Sequence, residues 1–185
     1  GDMIVCGSGD GCANIDGFVL LVGDGWPRLL ECGPEAAMTI VGRDPPRTLV
    51  DEAARRGFAW RCTGRVPDTR PFVHAGAAFV IPLRVGGGTR LKVYEAMAMG
   101  CPVVSTSIGV EGLPVRHREH CLIGDTADEL AASLADALRD ASLRRALSSA
   151  ARDHVERHFS YRNAAAVFED IALEAVRRRT GVSAA

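Results

Sequence analysis

Lysine is almost missing from this chain. Its 185 residues hold 21 arginines and a single lysine, Lys92. Base composition of the genome is the plain account of the bias, and the exception is a candidate for a place where a compact ammonium works and a planar guanidinium does not. Surplus charge is missing as well: 22 basic and 23 acidic residues leave a net charge of -1. Without a broad basic footprint, no nucleic-acid partner is expected, and any phosphate recognition must be local. No apolar run approaches the ~18 residues of a membrane span, and the first residues lack a charged-then-apolar leader pattern. The chain therefore reads as cytoplasmic, with no membrane span. The six cysteines, at 6, 12, 32, 62, 101 and 121, show no C-x-x-C spacing. Buried thiols are expected in preference to a zinc site or a disulfide framework. Internal repeats and low-complexity segments are also absent.

What is present is ordinary globular material, 47% hydrophobic and 24% charged, in a length that suits one domain over residues 1–180. Short apolar runs, often β-branched, occur at 3–6, 38–41, 59–63, 78–81, 103–105 and 121–123, and read as six strands. Between them, helical spacing runs over 15–32, 46–56, 68–75 and 90–100. From 126 onward the pattern is helical throughout, with one break near Ala141 and Ser142 and a last helix over 161–179. Strands alternating with helices imply parallel pairing, and continuously apolar strands imply a sheet covered on both faces. The expected fold is α/β: a doubly wound, Rossmann-like parallel sheet of about six strands with an all-helical C-terminus. Such sheets bind ligands at the carboxyl ends of their strands, so the loops following the strands are the places to look.

The loop G-S-G-D-G-C after the first strand invites a dinucleotide reading. The G-x-G-x-x-G fingerprint would use Gly7 and Gly9 but requires glycine at 12, where Cys12 would obstruct close packing of helix on strand. Asp44 is a candidate ribose acid at the end of the second strand, although Arg43, Asp44 and two prolines also make a plain turn. An NAD(P)-binding oxidoreductase domain thus stands as an alternative.

The richest segment is P-L-R-V-G-G-G-T-R-L-K-V-Y-E-A-M-A-M-G-C-P, residues 82–102. Gly86, Gly87 and Gly88 let a phosphate approach the backbone without a Cβ in the way. Thr89 is placed to cap the following helix, and Gly100 with Pro102 to end it. Arg90 and Lys92 put positive charge in the first turn, where the helix dipole favours acids, and this inversion points to an anionic ligand. Glu95, a turn later, is placed to accept hydrogen bonds from a ribose diol. A plainer account makes this a capped amphipathic helix with a Lys92–Glu95 surface ion pair of ~0.2 to 0.5 kcal/mol.

The run G-G-G-T-R-L-K-V-Y-E-A-M-A-M-G-C-P-V-V-S-T-S-I-G-V-E-G-L, preceded by T-I-V-G-R-D-P-P and T-G-R-V-P-D-T-R-P, resembles the C-terminal half of GT-B glycosyltransferases of family 4. The resemblance extends from Ile4 to about Val176. It implies a donor domain that binds a nucleoside-diphosphate sugar, with UDP or GDP as the nucleotide. In that family such a domain works beside a separate acceptor domain, in a mostly retaining and metal-independent transfer, with no cofactor. By resemblance Glu95 matches the ribose-binding glutamate, while the glycine loop with Thr89, Arg90 and Lys92 lies at the diphosphate and acts on the leaving group. Gly7 and Ser8 belong to the nucleotide-contacting set, and Gly64, Arg65 and Val66 match the loop flanking the base. The segment F-S-Y from Phe159 resembles the start of a last helix that packs toward the other half. This sequence departs from many members at Gly87, where they carry a glutamate. It departs again at Ser8 and Asn14, where they carry Arg and Lys, and at Gly11 and Ala13, where a subgroup carries Trp and Pro. The first strand begins at residue 3, so no acceptor domain is expected within the chain, and binding is expected without appreciable transfer. The implied partner is an acceptor domain, or a second copy covering an exposed inter-domain face. A non-catalytic subunit docking on a separate acceptor protein is a further alternative.

Overall fold

The computed structural model describes residues 2–8, 11–33 and 35–180. Six strands form one parallel sheet in the order β3-β2-β1-β4-β5-β6. They are β1 (Asp2–Ser8), β2 (Ala37–Arg43), β3 (Ala59–Cys62), β4 (Ala78–Ile81), β5 (Val103–Ser105) and β6 (Leu122–Ile123). The order reverses between β1 and β4, which places the ligand crevice of a doubly wound sheet at their carboxyl ends. The expected α/β architecture and its six strands are what the chain adopts. The sixth strand is shorter than its apolar run because Cys121 makes only an isolated bridge to His117.

Both sheet faces are dry, as the continuous apolar strands require. Met3 and Val5 of β1 point into a core with Phe18, Trp26 and Leu134, while Ile4 points into a second core with Phe79, Val93 and Met97. The helices over the first face are α1 (Cys12–Leu20), α2 (Trp26–Cys32) and α6 (Ala127–Arg139). Over the second lie α4 (Arg70–Ala75), α5 (Leu91–Ala98) and α7 (Ala141–His158), while α3 (Arg47–Arg55) flanks β3. Each fully buried Phe, Leu or Met side chain contributes about 1.5–3 kcal/mol.

Local signals set the helix ends. Thr126 and Glu129 form a reciprocal capping box on α6, and the Asp140 carboxylate accepts from the amides of Ser142 and Leu143 to start α7. The break between these helices is therefore at Asp140, one residue before the expected position. Helix α5 ends as predicted on Gly100, which has φ +71°, with the amides of Gly100 and Cys101 donating to Met97 and Ala96. The first helical segment starts at Cys12, earlier than its spacing implied, and α1 passes into α2 through a π turn (Leu21–Gly25). Arg56 donates to the carbonyls of Val22 and Gly23 in that turn.

The cysteines divide three ways. Cys101 and Cys121 are buried and Cys6 and Cys62 half-buried, whereas Cys12 and Cys32 are exposed, contrary to a uniform buried-thiol reading. Helix α8 (Tyr161–Thr180) lies outside both cores and exposes Val167, Phe168 and Ile171. Just before it, Phe159 stacks on Tyr94 of α5 at 4.5 Å, and the rings of His120, His154 and His158 gather beside it, 4.4 and 5.1 Å apart. No described helix is long and apolar enough to cross a membrane.

Candidate functional site

Glycine defines the carboxyl end of the sheet. Gly7 and Gly42 lie in register on β1 and β2, with φ of +139° and +121°. A Cβ on Gly42 would come within 2.1 Å of the Gly7 carbonyl oxygen, so the two strands can end side by side only without side chains. The Gly42 amide donates to Gly64 at 3.1 Å, bringing the loop after β3 alongside. Within that loop Arg65 is exposed, while Val66 is half-buried and packs on the second core. Ser8 closes β1 opposite Arg43. Gly9, the second glycine of the dinucleotide fingerprint, lies outside the described residues.

The close helix approach that the fingerprint assigns to position 12 occurs elsewhere. Cys12 is exposed at the first residue of α1 and obstructs nothing. Gly17 makes the close contact: a Cβ there would lie 2.6 Å from the Pro82 carbonyl oxygen. Asp16 next to it accepts a two-pronged hydrogen bond from Arg84, at 2.9 and 2.7 Å, which ties α1 to the loop after β4. Asp44 is exposed in its turn, beside Arg47 and Asp51.

The loop carrying Gly86, Gly87, Gly88 and Thr89 is exposed throughout. A Cβ at Gly87 or Gly88 would meet nothing within 4 Å, so there is open space above the loop, whereas Gly86 backs onto Ala13 of α1. Thr89 does not cap α5. The cap position falls to Arg90, which takes a left-handed conformation with φ +53° and offers no side-chain cap. Its guanidinium turns inward instead, donating to the carbonyls of Gly86 and Gly87 at 3.0 and 3.1 Å and lying 3.5 Å from Glu111. The Arg90 side chain is thus nearly buried and braces the loop through these two carbonyls, with its Nε unpartnered. No residue pattern signals this inward turn, because it depends on the left-handed backbone at Arg90.

Lys92 crosses from α5 to the end of β1. Its ammonium fills the space a Gly7 side chain would take: a Cβ there would lie 2.1 Å from Nζ, with Asn14 Nδ2 at 3.7 Å. Burial lowers the Lys92 pKa, while Cys6 and Glu95 act to raise it. Burial likewise pushes the Cys6 thiol up to about 11, with Lys92 pulling it back and Glu95 adding to the rise. Cys6, Lys92 and Glu95 therefore share the mouth of β1, with the Glu95 side chain exposed. The ion pairs among the described residues do not include the plain Lys92–Glu95 surface pair.

The floor beneath the glycine loop consists of residues that lie within the long family-like run but were given no role there. Ser105 Oγ donates to the Ile81 and Thr106 carbonyls at 3.0 and 3.1 Å. Thr106 Oγ1 donates to Leu83 and accepts from the Gly109 amide. Both hydroxyls are buried, and two hydroxyl residues at the end of the apolar run of β5 are the signal that could have found them. A cavity of about 280 Å³ opens between this floor and α5, lined by Leu83, Gly87, Arg90, Leu91, Lys92 and Gly109. A wider hollow of about 480 Å³ lies at the amino ends of β4 and β5, against Arg144, Arg145 and Arg152. The crevice rule favours the smaller cavity, since the glycine termini and Lys92 converge only at the carboxyl ends. Among the described residues no group of three His, Cys, Asp or Glu side chains is arranged to hold a metal ion.

The loop after β3 and the loop after β4 stand three strand spacings apart in the sheet order, about 14 Å. A ligand touching Arg65 or Val66 and also the glycine loop must be elongated. The family profile described as Glycosyl transferases group 1 matches residues 2–140. The chain belongs to that family. Among solved structures, it resembles the C-terminal domain of a group 1 family protein, LpcC from Francisella tularensis, at 17% identity and a TM-score of 0.71, covering 86% of each chain. HepE (Alr3699) from Anabaena, solved with UDP, matches at 16% identity and a TM-score of 0.75, over 95% of this chain and 48% of that one. Sucrose-phosphate synthase from Thermosynechococcus elongatus matches at 20% identity and a TM-score of 0.76, over 96% of this chain and 46% of the synthase. This group 1 chain thus spans about half the length of the latter two. No curated protein sequence matches it.

Proposed function

We propose that this chain is the donor-binding domain of a family 4, retaining glycosyltransferase, holding a nucleoside-diphosphate sugar across the carboxyl ends of its strands. The reading treats residues 1–180 as one domain that works beside an acceptor domain, with transfer of a hexosyl group requiring no bound metal. The observation that carries it is the pairing of Lys92 and Glu95 on one helix, at the mouth of β1 beside the open glycine loop and inside the family-matched segment. HepE, whose fold this chain shares, binds UDP, which supports an elongated nucleotide as the occupant.

Each residue then has a physical task. Glu95, exposed and next to the half-buried Lys92, accepts from the ribose diol. The loop formed by Gly86, Gly87, Gly88 and Thr89 gives the diphosphate close access to backbone and to the amino end of α5, whose dipole favours negative charge. When the bond from the sugar to the diphosphate breaks, the electron pair stays on the leaving phosphate oxygen. The Lys92 ammonium faces that growing charge, and Arg90 adds positive charge from below while holding the loop in shape. Gly7 and Ser8 border the phosphates, and Arg65 and Val66 flank the base.

Calorimetric titration with UDP, GDP, NADH and NADPH, each with and without a chelator, tests the reading. Saturable binding of a nucleoside diphosphate that a chelator leaves unchanged is the expected result. Binding of NADPH alone would overturn it and favour the oxidoreductase alternative. Glu95→Ala is expected to weaken UDP or GDP binding by roughly 1.5–3 kcal/mol while leaving inorganic pyrophosphate nearly untouched. Equal losses for both ligands would remove Glu95 from the ribose.

A further inference from the structure

The solitary lysine has a structural cause. Lys92 Nζ occupies the volume of an absent side chain on β1: with any Cβ at Gly7, Nζ would lie at 2.1 Å and Cε at 2.9 Å. The backbone enforces the vacancy, since Gly7 has φ +139°, a conformation that residues with a side chain rarely adopt. Gly42 on the adjoining strand is barred from carrying a side chain by its own 2.1 Å approach to the Gly7 carbonyl oxygen. Asn14 closes a further side. The opening is therefore bounded by β1, β2 and α1, and it is entered from α5 by one long, flexible stem.

We infer that Gly7 is a positioning residue: its missing side chain is the seat that delivers the Lys92 ammonium to the end of β1, and this seat admits an ammonium but not a guanidinium. The shapes decide it. An ammonium ends the chain as a compact point with three rotatable donors, whereas a guanidinium sets its carbon near that depth and carries two further nitrogens beyond it in a rigid plane. The opening is already filled by Nζ and Cε. An arginine in place of Lys92 would have to withdraw toward solvent, keeping its charge but leaving the space at Gly7 without its ammonium. The described residues 2–8 and 11–17 contain no cation of their own. In a chain with 21 arginines, that consequence explains the exception.

The ligand side of this inference rests on the nucleotide reading above; the seat itself does not. Because Lys92 is the only lysine, lysine labelled at the ε position gives the full chain a single side-chain resonance that reports this site. Four forms are compared: wild type, Lys92→Arg, Lys92→Ala and Gly7→Ala. In wild type the Lys92 resonance is expected to titrate below an ordinary lysine, and to shift saturably with inorganic pyrophosphate and with UDP but not with uridine. In Gly7→Ala its titration should return toward the ordinary value, with pyrophosphate affinity falling at least tenfold. Lys92→Arg should lose pyrophosphate affinity nearly as far as Lys92→Ala, with an unchanged melting temperature. A charge-only role predicts the opposite, since arginine is a good phosphate ligand. Wild-type affinity in Lys92→Arg, within twofold, overturns the inference, as does a Gly7→Ala resonance unchanged from wild type. Should Gly7→Ala fail to fold, Lys92→Arg decides alone. If no form binds pyrophosphate or nucleotide but the resonance moves in Gly7→Ala as described, the seat stands and the nucleotide reading falls.

Discussion

The two sides of the crevice are shaped by opposite means. On the β5 side, the buried hydroxyls of Ser105 and Thr106 stitch the loops after β4 and β5 together through the carbonyls of Ile81 and Leu83 and the amide of Gly109. On the β1 side, shape comes from what is missing: Gly7 and Gly42 leave room, and a side chain from α5 comes in to use it. The first side resists change because each buried polar group already has its partner, and losing one costs its desolvation. The second is occupied by one flexible stem, that of Lys92, which ends in a charge, and this suits a surface meant to receive an anionic ligand. Stability and binding should therefore respond to different substitutions, although the two sides face the same cavity.

The strongest way to break the comparison is Gly109→Val. A Cβ there would lie 2.1 Å from Ser105 Oγ and 2.9 Å from the Ile81 carbonyl oxygen. We expect a loss of roughly 3 kcal/mol, which lowers the melting temperature by about 6–12 °C. Thr106→Val, which strands the Leu83 carbonyl and the Gly109 amide, should cost about 1–3 kcal/mol, read by urea denaturation. Gly87→Ala sharpens the contrast from the other side. Its φ lies outside the positive region and a Cβ meets nothing within 4 Å, so the chain should melt within about 2 °C of wild type while UDP binding weakens. A large fall in melting temperature would mean that the glycine loop is structural rather than open.

The smallest effect concerns pH. His154 is held below its ordinary pKa of 6.5 chiefly by burial, with His120, His158 and Arg116 adding to the shift and Glu119 opposing it. Tyr94 faces the same group through Phe159. The folded state thus prefers neutral His154, and the unfolded chain binds more protons as pH falls. Stability contributed by this group is present above pH 6.5 and lost as pH drops below it toward the lowered value. Denaturation at pH 7.5 and 5.5 should show a decline that His154→Gln reduces. An equal decline in that variant would place the sensitivity elsewhere.

Much of this is legible in the residues. The strand runs and the alternation of strand with helix lead to the right sheet because β-branched runs bounded by glycine leave few other options. Gly100 reads as a helix end because glycine best tolerates its left-handed backbone. Thr89 looks like a cap in sequence and is not one, because capping depends on where the helix begins, and the left-handed turn at Arg90 shifts that point. Cys12 looks obstructive by its motif position, whereas the close packing depends on where α1 leans on the loop after β4, at Gly17. Arg90 and Lys92 look alike in sequence, as two cations in one helical turn. Only the backbone separates them, sending one guanidinium beneath the loop and one ammonium across to β1.

The π turn between α1 and α2 has the form of an insertion. A helix advances about 100° per residue, so one extra residue in a turn rotates everything after it by that angle. Here the rotation brings Trp26, fully buried, edge-on to Trp60 at 5.4 Å. Removing Gly23 would restore ordinary helical winding and swing that indole out of the core, while taking away one of the two carbonyls that Arg56 now serves. The chain's tolerance to length change is therefore unequal along its first helical segment. An indel at the π turn would be read out at a tryptophan several residues away, and relatives lacking the extra residue are expected to carry their large aromatic at a different step of the helix.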